Sequence, residues 1–427
     1  MDEMGLQLRS SLGLFAFAAI AWILGPRKRI PLVLFGGAIG LQFAIAFLLY
    51  SFSPTRAFLQ SLTQFVQLLQ DATTAGTSFV FGYIGGAEPP FLINPDGPQS
   101  LFIFGFQALP MLIVLSAISA LLWRWRVLEF VVRGFAFVFR KLLNLSGAAS
   151  LGAAANIFLG MTESPVLIRP RMPQLSRSDL FLIMTVGFST VAGSVMAIYV
   201  SQLSGVLEGA AGHIVTASLI SVPAAVLIAR LMYPPDGDAG EDESDEKIPT
   251  TIYQSSMDAL TTGVTDGVKL FVNIIAMLIT FIAIVTLVNF GLDAVPDISG
   301  EPLTVQRILG WLFAPLVWLA GIPWSEAVDA GSLMGLKTAL NEIVAYDGLA
   351  GMGEALSPRS RMIMTYAICG FANFSSVGIL IGGLLAIAPS RRADILQLAP
   401  RALISGTLAT LMTGGVVGAL PMALFQG

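Results

Sequence analysis

A carboxylate set inside an apolar run constrains this chain more than any other feature. Residues 153–170 read AAANIFLGMTESPVLIRP. Asn156, Thr162 and Glu163 interrupt the apolar residues, Gly160 and Pro165 loosen the backbone, and Arg169 and Arg171 close the far end. The chain of 427 residues is 55% hydrophobic and only 12% charged. Soluble domains carry roughly 25% charged residues, so this is an integral membrane protein. A carboxylate at bilayer depth is costly and marks a functional site facing protein or a water-filled cavity. Non-helical backbone survives at that depth only where protein or such a cavity receives it. The stretch therefore reads as a hairpin that enters the membrane, presents polar groups at its tip and leaves on the same side.

A second stretch answers the first. Residues 336–346 read LKTALNEIVAY, again with an amide beside a carboxylate, Asn341 and Glu342. Each stretch precedes a long apolar segment with a Gly-Phe pair and a polar interruption: GFSTVAGSV from Gly187 and GFANFSSVG from Gly370, which lay Thr190 over Asn373. Interrupted segments at corresponding places in two halves of a membrane chain point to a midplane binding site in a transporter built from repeats.

The remaining segments arrange themselves around these two. Leu12–Leu24 reads as a first span, stopped by the basic Pro26–Arg29 cluster, which puts that end in the cytoplasm and the N-terminus outside. Ile30–Phe52 returns. Arg56–Gln70 has the spacing of an amphipathic interfacial helix, Thr73–Gln99 reads as extramembrane or partly re-entrant, and Leu101–Leu122 is a third span. Arg126, Glu129, Arg133 and Arg140 form a charged stripe on a second interfacial helix. Spans are expected at residues 180–200 and 213–231. The run PPDGDAGEDESDEK, Pro234–Lys247, reads as a disordered cytoplasmic linker rather than a Mg²⁺ site, and it separates the halves. Residues 250–267 read as interfacial, and spans are expected at 268–290, 362–387 and 403–420. About eight spans and two hairpins place every strong basic cluster on the cytoplasmic side.

Much chemistry is excluded. The one cysteine, Cys369, and the one histidine, His213, rule out disulfide frameworks within the chain and Cys/His metal sites. Gly335–Thr338 has only the tail of a phosphate-binding loop, and HExxH is missing. His213 reads as a packed or interfacial residue. Lys337 lies five residues before Glu342, a poor spacing for a helical ion pair. Asn156 and Thr190 are hard oxygen ligands of the type that coordinate Na⁺ at a broken helix. A core with carboxylates, amides and hydroxyls, and Lys337 as its one deep cation, favours a neutral solute rich in hydrogen-bond donors. The residues by themselves read as an ion-coupled carrier of such a solute. A membrane-embedded enzyme using Glu163 and Glu342 as acid and base, and a passive channel, stand as alternatives.

GMTESPVLIRP, LKTALNEIVAY and ICGFANFSSVGILIGGL resemble the concentrative nucleoside transporter family, and the resemblance covers nearly the whole chain. It implies an all-α membrane fold with eight transmembrane helices, two re-entrant hairpins and three interfacial helices, in inverted repeats. It also implies a homotrimer in the bacterial inner membrane, both termini outside, and elevator-type symport of purine and pyrimidine nucleosides with Na⁺ or, in some members, H⁺. Neither an enzymatic cofactor nor nucleic acid is implied. Residues 1–125 would be N-terminal scaffold helices, and 126–233 the first half of the transport domain, with a hairpin near 147–176. Residues 234–249 would be the linker, 250–300 an interfacial helix and scaffold span, and 301–427 the second half, with a hairpin near 308–347. By the resemblance, Met161, Thr162 and Glu163 face the nucleobase, with Val195 and Phe371 packed on it. Glu342, Asn373 and Ser376 hold the ribose. The side chain of Asn156, the carbonyls of Leu159 and Val191 and the hydroxyl of Thr190 hold sodium. The family commonly has Gln where Met161 stands and Ser where Thr190 stands.

Overall fold

The computed structural model describes residues 3–28, 32–92, 101–235, 253–298 and 300–425. Among these the only β pairing is an isolated bridge, Ile298 to Glu301; the rest of the regular structure is helical. The chain opens with α1 (Glu3–Leu24), α2 (Leu32–Ser51), α3 (Ser53–Phe81) and the single turn α4 (Phe104–Gln107). Then come α5 (Met111–Arg124), α6 (Val127–Leu143), α7 (Gly147–Leu159), α8 (Ser164–Leu167), α9 (Arg177–Ser189), α10 (Gly193–Leu203) and α11 (Ala210–Met232). A second series repeats that order: α12 (Ser256–Leu292), α13 (Val305–Leu319), α14 (Ala327–Ala339), α15 (Glu342–Gly351), α16 (Pro358–Ile368), α17 (Phe374–Ile387) and α18 (Arg392–Ala419).

The correspondence extends to packing. α6 lies on α7 as α13 lies on α14, and α9 packs on α11 as α16 packs on α18. The halves are also laced crosswise, with α10 against α15 and α17 against α8. α1 rests on α18 and α11, and α2 on α11. Seven helices among the described residues are long and apolar enough to cross a membrane, taking α4–α5 and α9–α10 as continuous runs. The expected span at 362–387 is divided into α16 and α17, so no single long helix covers it.

Glycines set the closest approaches. Gly263 and Gly267, one turn apart on α12, seat that helix on α5. A Cβ at either would lie 2.7 Å from the Cα of Ala117 or 2.6 Å from that of Ile113. Small residues at this spacing let membrane helices touch through their backbones. The rest of α12 is almost bare: only Ala259, Gly263 and Gly267 are buried. In the interior, Gly406 of α18 receives Phe188 of α9, whose Cβ would be 2.5 Å from an added one.

Two segments are longer than the sequence pattern suggests. α3 continues through Thr73 to Phe81, so the first part of the stretch expected to be extramembrane or partly re-entrant is helical. Thr73 and Thr74 return their hydroxyls to the carbonyls of Leu69 and Gln70, at 2.7 and 2.9 Å, and so add no polar burden to the helix. It stops at Gly82, whose φ of +62° no helix continues. The expected interfacial and spanning pieces at 250–267 and 268–290 form one helix, α12. On α6 the expected charged stripe is partly inward: Glu129 is buried and meets Arg133 at 2.6 Å. His213 is packed as expected, stacked on Tyr50, with its Nδ1 2.8 Å from the Tyr50 hydroxyl and 3.0 Å from that of Tyr366. The acidic run at 236–247 and Arg29 lie outside the described residues.

Gly406→Val forces branched carbon into the α18–α9 contact, an overpacking that costs about 1–3 kcal/mol. The expected result is a lower thermal unfolding midpoint in detergent, followed by tryptophan fluorescence.

Candidate substrate and ion site

The first half builds its tip from small residues. Ser146 caps α7, its Oγ accepting from the Ala149 amide at 3.3 Å, and Ala149–Ile157 are all buried. Without bulky side chains α7 lies close to α9, and Asn156 reaches the position of Gly187: a Cβ there would be 3.4 Å from Nδ2. Asn156 is 1% exposed, yet its Oδ1 has no hydrogen-bond partner. A buried amide oxygen left without a donor costs about 1–3 kcal/mol unless something else engages it. The helix ends at Gly160, whose φ of +89° suits glycine and whose missing side chain admits Ala192. Met161 then folds back over Gly187 and is 7% exposed. Thr162 packs on α17, its Cγ2 2.9 Å from where a Cβ of Gly383 would be.

The two broken helices cross at their breaks. Residues 190–192 separate α9 from α10, and 369–373 separate α16 from α17. The Phe371 amide donates across to the carbonyl of Thr190 at 3.4 Å, and Gly370 lies against the Phe188 carbonyl and Thr410. Thr190 turns its hydroxyl back to the Val186 carbonyl, 2.8 Å away, which leaves the oxygen lone pairs to accept.

The second tip supplies the carboxylate. Asn341 caps α15, its Oδ1 accepting from the Val344 amide at 3.0 Å, and Glu342 opens that helix at its positive end. Glu342 is 4% exposed and doubly engaged. The Tyr199 hydroxyl donates to Oε1 at 2.8 Å, and Asn373 Nδ2 donates to Oε2 at 2.9 Å. Asn373 also caps α17, its Oδ1 accepting from the Ser376 amide at 2.7 Å and from the Ser375 hydroxyl at 2.8 Å. Two half-helix N-termini thus converge on one buried carboxylate, which keeps two of its four lone-pair sites for further donors.

The structure brings together most of the residues singled out from sequence. Glu342, Asn373 and Ser376 form one cluster. Asn156 and Met161 meet at Gly187, and Thr190 meets Phe371. Val191 and Val195 are buried around the α9–α10 break. Leu159 is half-buried at the last turn of α7. Glu163 stands apart: it is exposed and lines a cavity of about 290 Å³ with Tyr253, Asp258 and Asp266, facing α5 and α12. Sequence reasoning missed Tyr199. Its signal was a phenol inside an apolar half-helix, because a buried Tyr hydroxyl seeks a partner. The unpartnered Oδ1 of Asn156 is a buried hard oxygen in the last turn of α7, which packs on α9, and a sodium ion suits such a donor.

Family profiles match along the chain. They are described as the N-terminus and C-terminus of Na⁺ dependent nucleoside transporters, over residues 12–84 and 213–418, and as nucleoside recognition, over 105–205. The uncharacterized transporter YutK of Bacillus subtilis is 36% identical across 95% of this chain and 98% of its own. The chain belongs to the concentrative nucleoside transporter family. The putative nucleoside permease NupX of Escherichia coli is 33% identical across 96% of this chain and 98% of its own. The structure of CNTnw in an inward-facing substrate-bound state superposes with a TM-score of 0.85 at 32% identity, covering 97% of each chain. These family members and structural neighbours are transporters, and the enzyme alternative built on Glu163 and Glu342 is set aside.

For this transporter, Tyr199→Phe removes one donor from the Glu342 carboxylate while keeping the ring. A hydrogen bond to a charged group contributes about 1.5–3 kcal/mol. The thermal unfolding midpoint of the purified protein in detergent is expected to fall, and an unchanged midpoint would show that the bond contributes little.

Proposed function

We propose that this chain is a sodium-coupled symporter that concentrates nucleosides into the cell. The observation that carries the reading is the buried carboxylate of Glu342, held by Tyr199 and Asn373 at the meeting of two half-helix N-termini. Its remaining acceptor sites suit a pair of ribose hydroxyls, with Ser376 beside them. Met161, Thr162, Val195 and Phe371 then line the base. Glu163 joins them when the tip of α7 and α8 turns toward the substrate. Sodium is assigned to the Asn156 side chain, the Leu159 and Val191 carbonyls and the Thr190 hydroxyl, supported by the orphaned Asn156 Oδ1 and by the sodium dependence named for the matching family.

The ion and the base-lining residues lie on the same tip, so loading one shapes the seat of the other. The movement we assign is of elevator type. The laced body holding both tips slides against α5 and α12, with the tips as re-entrant hairpins and the two series as inverted repeats. The resemblance to the family supports a homotrimer, and the bare flank of α12 leaves a face open to lipid or to a second copy. The basic clusters support a multi-pass protein of the bacterial inner membrane with both termini outside.

Uptake into liposomes carrying a Na⁺ gradient, a pH gradient or neither tests the reading. Accumulation is expected with the Na⁺ gradient alone; accumulation driven only by the pH gradient would show proton coupling. Glu342→Gln is expected to abolish accumulation while the protein still assembles. Both observed partners donate, and the amide nitrogen would set donor against donor. Wild-type uptake by that variant refutes the ribose assignment.

Met161 sets a second expectation. A thioether offers bulk and polarizability where Gln would hydrogen-bond a base edge. Purine nucleosides, adenosine included, are expected to be accepted readily. Met161→Gln is expected to move the uridine-to-adenosine affinity ratio toward uridine by up to about tenfold, one hydrogen bond being about 0.5–1.5 kcal/mol. Competition uptake on both proteins measures it, and a ratio that stays or moves toward adenosine removes Met161 from base selection.

A further inference from the structure

One cavity takes no part in the substrate and ion assignments. It holds about 510 Å³ and lies at the starts of α3, α11 and α16, beside the end of α2. Arg56 of α3 and Arg359 and Arg361 of α16 line it, together with the amides of Gln60 and Gln64. None of the three arginines is fully engaged. Arg56 gives its Nε to the Tyr50 carbonyl. Arg359 is 8% exposed; it gives Nη2 to the Gly418 carbonyl and to Ser10 Oγ, and leaves Nε and Nη1 without a hydrogen-bond partner. Arg361 is half-buried, and its guanidinium makes no hydrogen bond or ion pair among the described residues. Glu208 is the one carboxylate among the described lining residues, and it is ion-paired with none of the three. Glu3 of α1 offsets part of the Arg359 charge, and Arg9 adds to it.

The same cavity gathers three helix N-termini, whose free amides carry partial positive charge. α3 and α11 begin without a side-chain cap, with Phe52 and Gly209 at their cap positions, while Ser357 caps α16. A neutral solute gains little from such a potential, whereas an anion gains from each of its sources. Guanidinium forks match the oxygens of a phosphate two at a time. The space also exceeds what a bare halide fills, so it admits a phosphate together with the group that carries it.

We propose that this cavity is a binding site for a phosphate-bearing anion, seated on Arg56 and Arg361 with Arg359 behind them. On the topology proposed above, α2 starts beside the cytoplasmic basic cluster and ends at the cavity, which therefore opens on the outer face. Two sources bring a phosphate there: the headgroup of an anionic phospholipid, and a free phosphate compound outside the cell. Either one bridges α3 to the first turns of α11 and α16, and stabilises the folded chain by binding it. The site is separate from the Glu342 cluster and stands whether or not the solute carried there is a nucleoside.

The test is the thermal unfolding midpoint of the wild type and of Arg361→Gln under two pairs of conditions. In detergent, inorganic phosphate is compared with chloride at equal Na⁺ concentration and ionic strength. In nanodiscs, phosphatidylglycerol is compared with phosphatidylcholine. The wild-type midpoint is expected to rise with phosphate, with phosphatidylglycerol or with both, and the rise is expected to vanish in Arg361→Gln. A rise with inorganic phosphate alone identifies a free compound as the source, and a rise with phosphatidylglycerol alone identifies the lipid headgroup. No rise in either arm, or a rise of equal size in the two proteins, overturns the proposal. Should Arg361→Gln fail to fold, Gln60→Glu replaces it, since that exposed position sets a carboxylate in the same lining. The rise is expected to vanish there too, and its persistence overturns the site.

Discussion

Four breaks in helices that run through an apolar environment govern this structure. Residues 160–163, 190–192, 340–341 and 369–373 each interrupt a helix and free backbone amides and carbonyls. Hydrocarbon cannot satisfy such groups, and each one left bare costs several kcal/mol. The chain meets them with one another. The Phe371 amide reaches the Thr190 carbonyl, while Asn341 and Asn373 turn their side chains onto the first turns of α15 and α17. That mutual satisfaction requires close crossing, which is why glycine or alanine stands at 187, 192, 193, 370 and 406. It also requires the two halves to interleave, and the lacing of α10 with α15 and of α17 with α8 follows from the same need.

Much of this was legible as interruption. An amide or carboxylate within an apolar run announces that the helix cannot be plain, and the two runs at 153–170 and 336–346 announced a pair. The relation between them was partly legible too: laying GFSTVAGSV on GFANFSSVG matched Thr190 to Asn373, which do flank the two breaks. Local spacing could not supply the partners across the halves. Tyr199 finds Glu342 only because α10 packs on the opposite half's tip, and no periodicity within either segment encodes that. Helix length was misjudged where polar residues carry their own remedy, as with Thr73 and Thr74 on α3.

Glu163 and Glu342 show how equal places in sequence can differ in space. Glu342 is the first residue of a ten-residue helix and lies beneath donors from two other helices. Glu163 precedes a helix of only four residues and opens toward the cavity beside α5 and α12. The difference is one of partners. Donors from α10 and α17 hold the Glu342 carboxylate inward, whereas Glu163 lies at the cavity.

The paired donors on Glu342 have a consequence for the unloaded protein. In the proposed elevator-type cycle the empty carrier travels back, and a bare buried carboxylate would slow that return. Tyr199 and Asn373 stay bound to Glu342 with no solute present, since both belong to the chain. In the carrier cycle proposed above, the charge then crosses already clothed, with no need to recruit water to the centre first.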